Sequence, residues 1–202
     1  MKTKIITGFA FTLLLTAQPI VWAADINCSD SSSAPSGKIP MCNGKEVTCV
    51  GTGENDNIVG TNGNDVIYAG NGNDEADAGE GDDIVCGGNG DDSIEGGIGN
   101  NTLLGGNGDD YLSGSKNVSD KDVLIGGNGD DTLHAHPGDD TLSGDRGDDF
   151  LGAGPGNDTV SGGQGDDFLG GGPGKDTLDG GTGTDACMAG PPRQGDNLID
   201  CE

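Results

Sequence analysis

From residue 51 onward, large apolar side chains occur singly and at a fixed interval. Ile58, Ile67, Val85, Ile94, Leu103, Leu112, Leu124, Leu133, Leu142, Leu151, Val160, Leu169 and Leu178 share one phase, and Ala76 and Cys187 fill the same place weakly. Between them the chain is mostly Gly, Asn and Asp. An amphipathic helix would repeat every 3.6 residues and an ordinary half-buried strand every two. Neither fits. The pattern predicts three-residue strands x-U-x, in which only the aliphatic U faces inward, each followed by a polar turn. Fifteen such units run from Gly51 to Met188; fourteen have nine residues and the unit Gly114 to Ile125 has twelve. Together they span 138 of the 202 residues, so the fold class is all-β and repetitive.

The unit reads G-G-x-G-[N/D]-D-x-U-x, as in Gly87-Gly88-Asn89-Gly90-Asp91-Asp92-Ser93-Ile94-Glu95. Position six is Asp56, Asp65, Asp74, Asp83, Asp92, Asp110, Asp122, Asp131, Asp140, Asp149, Asp158, Asp167, Asp176 and Asp185, with Asn101 the one exception. Carboxylates at so regular a spacing repel one another unless a hard cation lies between them. Calcium takes six to eight oxygens, carboxylate and backbone carbonyl alike. Glycines at positions two and four allow the positive φ that aims carbonyls inward.

These residues resemble the hemolysin-type (RTX) calcium-binding nonapeptide repeat. The resemblance implies a right-handed parallel β-roll, two nonapeptides to a coil, with turns alternating between two edges. Each calcium is then expected between same-edge turns eighteen residues apart, as for Asp65 and Asp83. Eight odd and seven even units imply up to about 13 calcium sites, and coils about 4.8 Å apart imply a stack of roughly 36 Å. Glu54 at position four, Ala76, Asn101, Lys175 at position five and the insertion around Asn117-Val118-Ser119 depart from the pattern. Sites beside them are expected to be impaired, and the insertion to bulge at one edge.

Composition agrees with a fold that needs metal. The chain carries a formal charge of −26, and only 31% of its residues are hydrophobic. Ordering each backbone residue costs about 1–2 kcal/mol, which a core this thin does not offset alone. The acidic balance excludes nucleic acid, whose phosphates need clustered Lys and Arg, and favours cations.

The first 23 residues read as an export signal. Lys2 and Lys4 precede an apolar stretch from Ile5 to Ala17, and Val21 and Ala23 suit a cleavage site. The stretch is shorter than the ~20 apolar residues of a membrane span, so no transmembrane anchor is expected after cleavage and the protein is expected to be secreted. All six cysteines follow the signal, and an even count in an exported chain favours disulfides. Cys187 and Cys201 are expected to bridge. Cys28, Cys42, Cys49 and Cys86 form two further bridges whose pairing stays open. Residues 24–50 are expected to cap the first coil and residues 189–202 the last.

Other candidates are weaker. His134 and His136, next to Pro137, offer a metal-ligand reading, but they read best as solvated surface histidines. Tyr111, Phe150 and Phe168 share position seven of odd units and fall on one outer sheet face, where β-propensity accounts for them more simply than a protein or glycan partner. Position three is Asn71, Asn89, Asn107 and Asn128 on one edge and Pro137, Pro155 and Pro173 on the other, as turn preferences explain. There is no H-E-x-x-H, G-x-S-x-G or P-loop, and about 27 residues between signal and array are too few for a catalytic domain. The expected function is calcium-dependent folding of a structural or interaction module, not an enzyme. The alternative is an accessory module for a separately encoded secreted enzyme or an adhesin.

Overall fold

A computed structural model describes residues 25–28, 41–117, 120–191 and 195–202. The expected signal, residues 1–23, lies outside the described residues, as do 29–40 of the N-terminal cap and Val118 and Ser119 of the insertion.

Successive units alternate between two nine-stranded parallel sheets. One sheet begins with Asp25–Asn27 and ends with Ala186–Met188; the other begins with Cys49–Val50 and ends with Asn197–Ile199. Each strand therefore pairs one whole coil away, so Leu133 stands opposite Leu151 and Leu151 opposite Leu169. In the facing sheet Leu142, Val160 and Leu178 form the matching ladder. The twelve-residue unit does not disturb either one: Leu103 pairs with Leu124 and Leu112 with Leu133.

The core is a double column of these aliphatic residues, nearly all without solvent contact. It is wider than one position per unit. Ala69, Ala78, Ala135 and Ala153, at position one, are also fully buried. A strand alternates, so position one faces inward two residues after position eight; the three-residue reading stopped one residue short. Elsewhere position one is glycine, because a Cβ there would meet the carboxylate of the same unit and a backbone oxygen of the next coil, as at Gly87.

Each end carries a coil without the nonapeptide pattern. Ile26 stacks on Ile58 and Cys49 on Ile67 at one end, and Leu198 on Leu178 at the other. Both end coils are fastened from sheet to sheet, by Cys28–Cys49 and by Cys187–Cys201. The third bridge, Cys42–Cys86, acts elsewhere. It holds a hairpin, Met41–Cys42 with Lys45–Glu46, against an outer sheet face, where Cys42, Val47 and Ile84 make a small second core with Val66 and Tyr68. Among the described residues there is no helix, and hence none long and apolar enough to cross a membrane.

Candidate calcium-binding rows

The turns joining the two sheets stack into two edges, and position six of each turn points inward beneath it. One edge stacks Asp56, Asp74, Asp92, Asp110, Asp131, Asp149, Asp167 and Asp185; the other stacks Asp65, Asp83, Asn101, Asp122, Asp140, Asp158 and Asp176. All fifteen are buried, none more than 7% exposed.

From Asp74 and Asp83 onward, one side-chain oxygen of each row member has a fixed task. Oδ1 accepts the backbone N–H of the position-six residue one coil earlier: Asp74 from Asp56 at 2.7 Å, Asp149 from Asp131 at 2.7 Å, and Asp176 from Asp158 at 3.0 Å. The other oxygen is different. Oδ2 of Asp74, Asp83, Asp92, Asp110, Asp131, Asp140, Asp149, Asp158, Asp167 and Asp176 is buried without a hydrogen-bond partner. Native proteins leave few buried polar atoms unsatisfied, and each costs about 1–3 kcal/mol, more for a charge. Ten in two files call for a common partner.

Burial also works on the charge. It raises Asp92, Asp110, Asp131 and Asp158 to about 7, and Asp74, Asp83, Asp140 and Asp149 to about 6, with the neighbouring row carboxylates pushing the same way. Asp122, Asp167 and Asp176 are raised for the same first cause. Without a counter-charge these groups resist ionisation.

The surroundings suit a hard cation. Beside Gly87, the Oδ2 of Asp92 and the carbonyl oxygen of Gly105 converge on one point; Asp149 with Gly162, and Asp167 with Gly180, do so beside Gly144 and Gly162. The donors are carboxylate and carbonyl oxygens with no imidazole or thiolate among them, the set that favours calcium over zinc or copper. Positive φ at Gly88 (121°) and Gly90 (118°) lets the turn adopt this shape.

Three row members depart; Glu54 and the insertion mark two of their units in the sequence and nothing noted there marks the third, and in all three the cause is a position-two residue. Oδ2 of Asp56 accepts from the amide and hydroxyl of Thr52, at 2.5 and 2.9 Å. Oδ2 of Asp65 accepts from the same groups of Thr61, at 2.7 and 2.8 Å. Oδ2 of Asp122, within the twelve-residue unit, accepts from the amide of Ser115 at 2.6 Å. In each unit position two is Thr or Ser where the repeat has Gly, and that break was the available signal. Asn101 keeps the ladder without the charge: its Oδ1 accepts from the Asp83 amide at 3.1 Å and its Nδ2 donates to the Gly99 carbonyl at 3.1 Å. Lys175 leaves Asp176 like its neighbours, with Oδ2 unpartnered.

A residue outside the repeats joins the second row. The Asp176 amide donates to Oδ1 of Asp196 at 3.1 Å, and Leu198 follows at the aliphatic place. The fragment Gly195-Asp196-Asn197-Leu198 preserves just enough of the unit to have shown this. Position five carries an exposed ladder running the opposite way, in which the Asp109 amide donates to Asp91 Oδ1 at 3.1 Å and the Asp148 amide to Asp130 Oδ1 at 2.9 Å.

Stacked turns, paired rows of buried carboxylates and converging carbonyls define a parallel β-solenoid of the cation-binding kind. The chain belongs to the RTX calcium-binding nonapeptide repeat family, whose model matches it four times, over residues 50–85, 87–116, 118–151 and 152–186. A comparison with curated proteins finds no match to the chain.

Proposed function

We propose that this chain is an exported calcium-binding module whose β-roll is completed by Ca²⁺ held between stacked turns, and that it serves as a structural or interaction element rather than as an enzyme. The observation that carries this reading is the file of ten buried Oδ2 atoms without partners. Asp74, Asp92, Asp110, Asp131, Asp149 and Asp167 on one edge, and Asp83, Asp140, Asp158 and Asp176 on the other, would hold the ions together with turn carbonyls. Calcium would neutralise the rows and satisfy those oxygens.

The rows are not uniform. Thr52, Thr61 and Ser115 already satisfy Asp56, Asp65 and Asp122, and Asn101 carries no charge. Gaps between two consecutive unpartnered carboxylates number about seven, five on the first edge and two on the second, so occupancy near seven is favoured over thirteen. Export is supported by the leader-like N-terminus and by three disulfides, which form and persist in oxidising compartments. Calcium bound only by the folded state stabilises it by mass action, which would keep the acidic chain open where calcium is scarce. Metal counting on dialysed protein tests the proposal: about seven calcium ions per chain, not displaced by equimolar magnesium, is the expected result, and none retained at millimolar calcium overturns it.

A further inference from the structure

The sequence holds two histidines, His134 and His136, and they stand two residues apart. Solvated surface residues would be free to swing; these are not. His134 ends the strand Thr132–His134, and its ring lies between Tyr111, 5.8 Å away, and Phe150, 5.6 Å away and edge-on. One coil on, its strand partner is Gly152, and a Cβ there would stand 3.2 Å from His134 Nδ1. Glycine therefore leaves that nitrogen room.

His136 is fixed by a different contact. Its Nε2 shares a hydrogen bond of 3.1 Å with the hydroxyl of Ser113, which is only 4% exposed. That bond sets the ring and leaves Nδ1 for another partner. His136 also sits at φ 74°, at position two, where the next coils on this edge place Gly154 at 107° and Gly172 at 93°. A side chain is kept where the backbone favours glycine, and such residues gather at functional sites. The two rings are 6.4 Å apart between centroids and border a surface cleft of about 380 Å³ with Pro137, Gly152, Ala153, Gly154 and Pro155.

We propose that His134 and His136 form a chelating site for a borderline divalent transition-metal ion such as Zn²⁺ or Cu²⁺, separate from the carboxylate rows, with water or a partner's donor group completing its coordination. Imidazole suits such ions, whereas calcium selects oxygen. Ligating histidines characteristically bond a second group through the other ring nitrogen, which is the part Ser113 plays as a positioning residue.

The test uses protein already saturated with calcium, so that the rows are filled and the two readings fail separately. Zn²⁺ is titrated calorimetrically, and Cu²⁺ is read by electron paramagnetic resonance. One ion per chain is expected, with copper showing coupling to two imidazole nitrogens. His134→Gln and His136→Gln are each expected to weaken binding at least about tenfold, and Ser113→Ala to weaken it about tenfold with the nitrogen pattern kept. Circular dichroism of the calcium-loaded variants confirms an unchanged fold. Copper bound without nitrogen coupling, or zinc binding undiminished in the double variant, would overturn the site.

Discussion

The backbone N–H of Asp92 donates to Oδ1 of Asp110, one coil further on, at 2.8 Å, while Oδ2 of Asp110 meets no donor. One side chain thus divides its work between its two oxygens. The first ties neighbouring coils together, and the second is left for a cation.

Asp110→Asn separates the two tasks. Asn101 shows that a carboxamide serves the ladder as well as a carboxylate does. The variant is expected to keep the roll, ease the repulsion in metal-free protein and bind one or two fewer calcium ions. Asp110→Ala removes the ladder bond as well and is expected to cost about 1–3 kcal/mol of stability. Urea unfolding with calorimetric calcium counting distinguishes the two.

The hydroxyls of Thr52 and Thr61 act as an internal substitute for metal. Thr61→Val keeps the amide donor to Asp65 and removes the hydroxyl. It should lower metal-free stability by about 1 kcal/mol and leave calcium stoichiometry unchanged. Chemical denaturation in chelator, beside metal counting, checks both statements.

The pH dependence should reverse with calcium. In metal-free protein Asp92, Asp110, Asp131 and Asp158 titrate at about 7, against ~3.9 for an unfolded aspartate. Between those values the folded state binds more protons, so stability is highest below about pH 4 and falls as pH rises to about 7. Calcium binds the ionised carboxylates and competes with protons, so its affinity should fall as pH drops from 7 to 5. Urea midpoints of metal-free protein at pH 5 and pH 8 test the first statement, and calcium titrations at the same two values test the second.

The disulfides should separate by location. Cys187 and Cys201 are 14 residues apart, and replacing both with Ser is expected to cost about 3 kcal/mol in the chain-entropy model. The strand Asn197–Ile199 should then lose hydrogen-exchange protection first. Replacing Cys42 and Cys86 releases the outer hairpin and should leave the calcium count unchanged, because both belong to the small cluster on the outer sheet face rather than to the main core.

Much of this was legible in the sequence because each unit must satisfy the same constraints as its neighbours. Phase alone placed Leu133, Leu151 and Leu169 at inward positions and Asp131, Asp149 and Asp167 in the turns; that residues eighteen apart share one column and one row is what the resemblance to the repeat family implied. The remainder depends on contacts between distant segments. Nothing local to Cys28, Cys42, Cys49 and Cys86 distinguishes their partners, since the pairing follows from which cap strand joins which sheet. Thr52, Thr61 and Ser115 looked like tolerated variants of a flexible position until their hydroxyls or amides were seen against the carboxylates. His134 and His136 resembled solvated residues because Ser113 and Tyr111, which hold them, lie a coil away.

The most direct test of the account is far-ultraviolet circular dichroism of the disulfide-intact protein, without residues 1–23, titrated with calcium from the chelated state and with magnesium as control. A cooperative gain of β signal with calcium alone is the predicted result. A full β spectrum in chelator, unchanged by calcium at any concentration, would mean that disulfides and the apolar column suffice, and would contradict the claim that metal completes the fold.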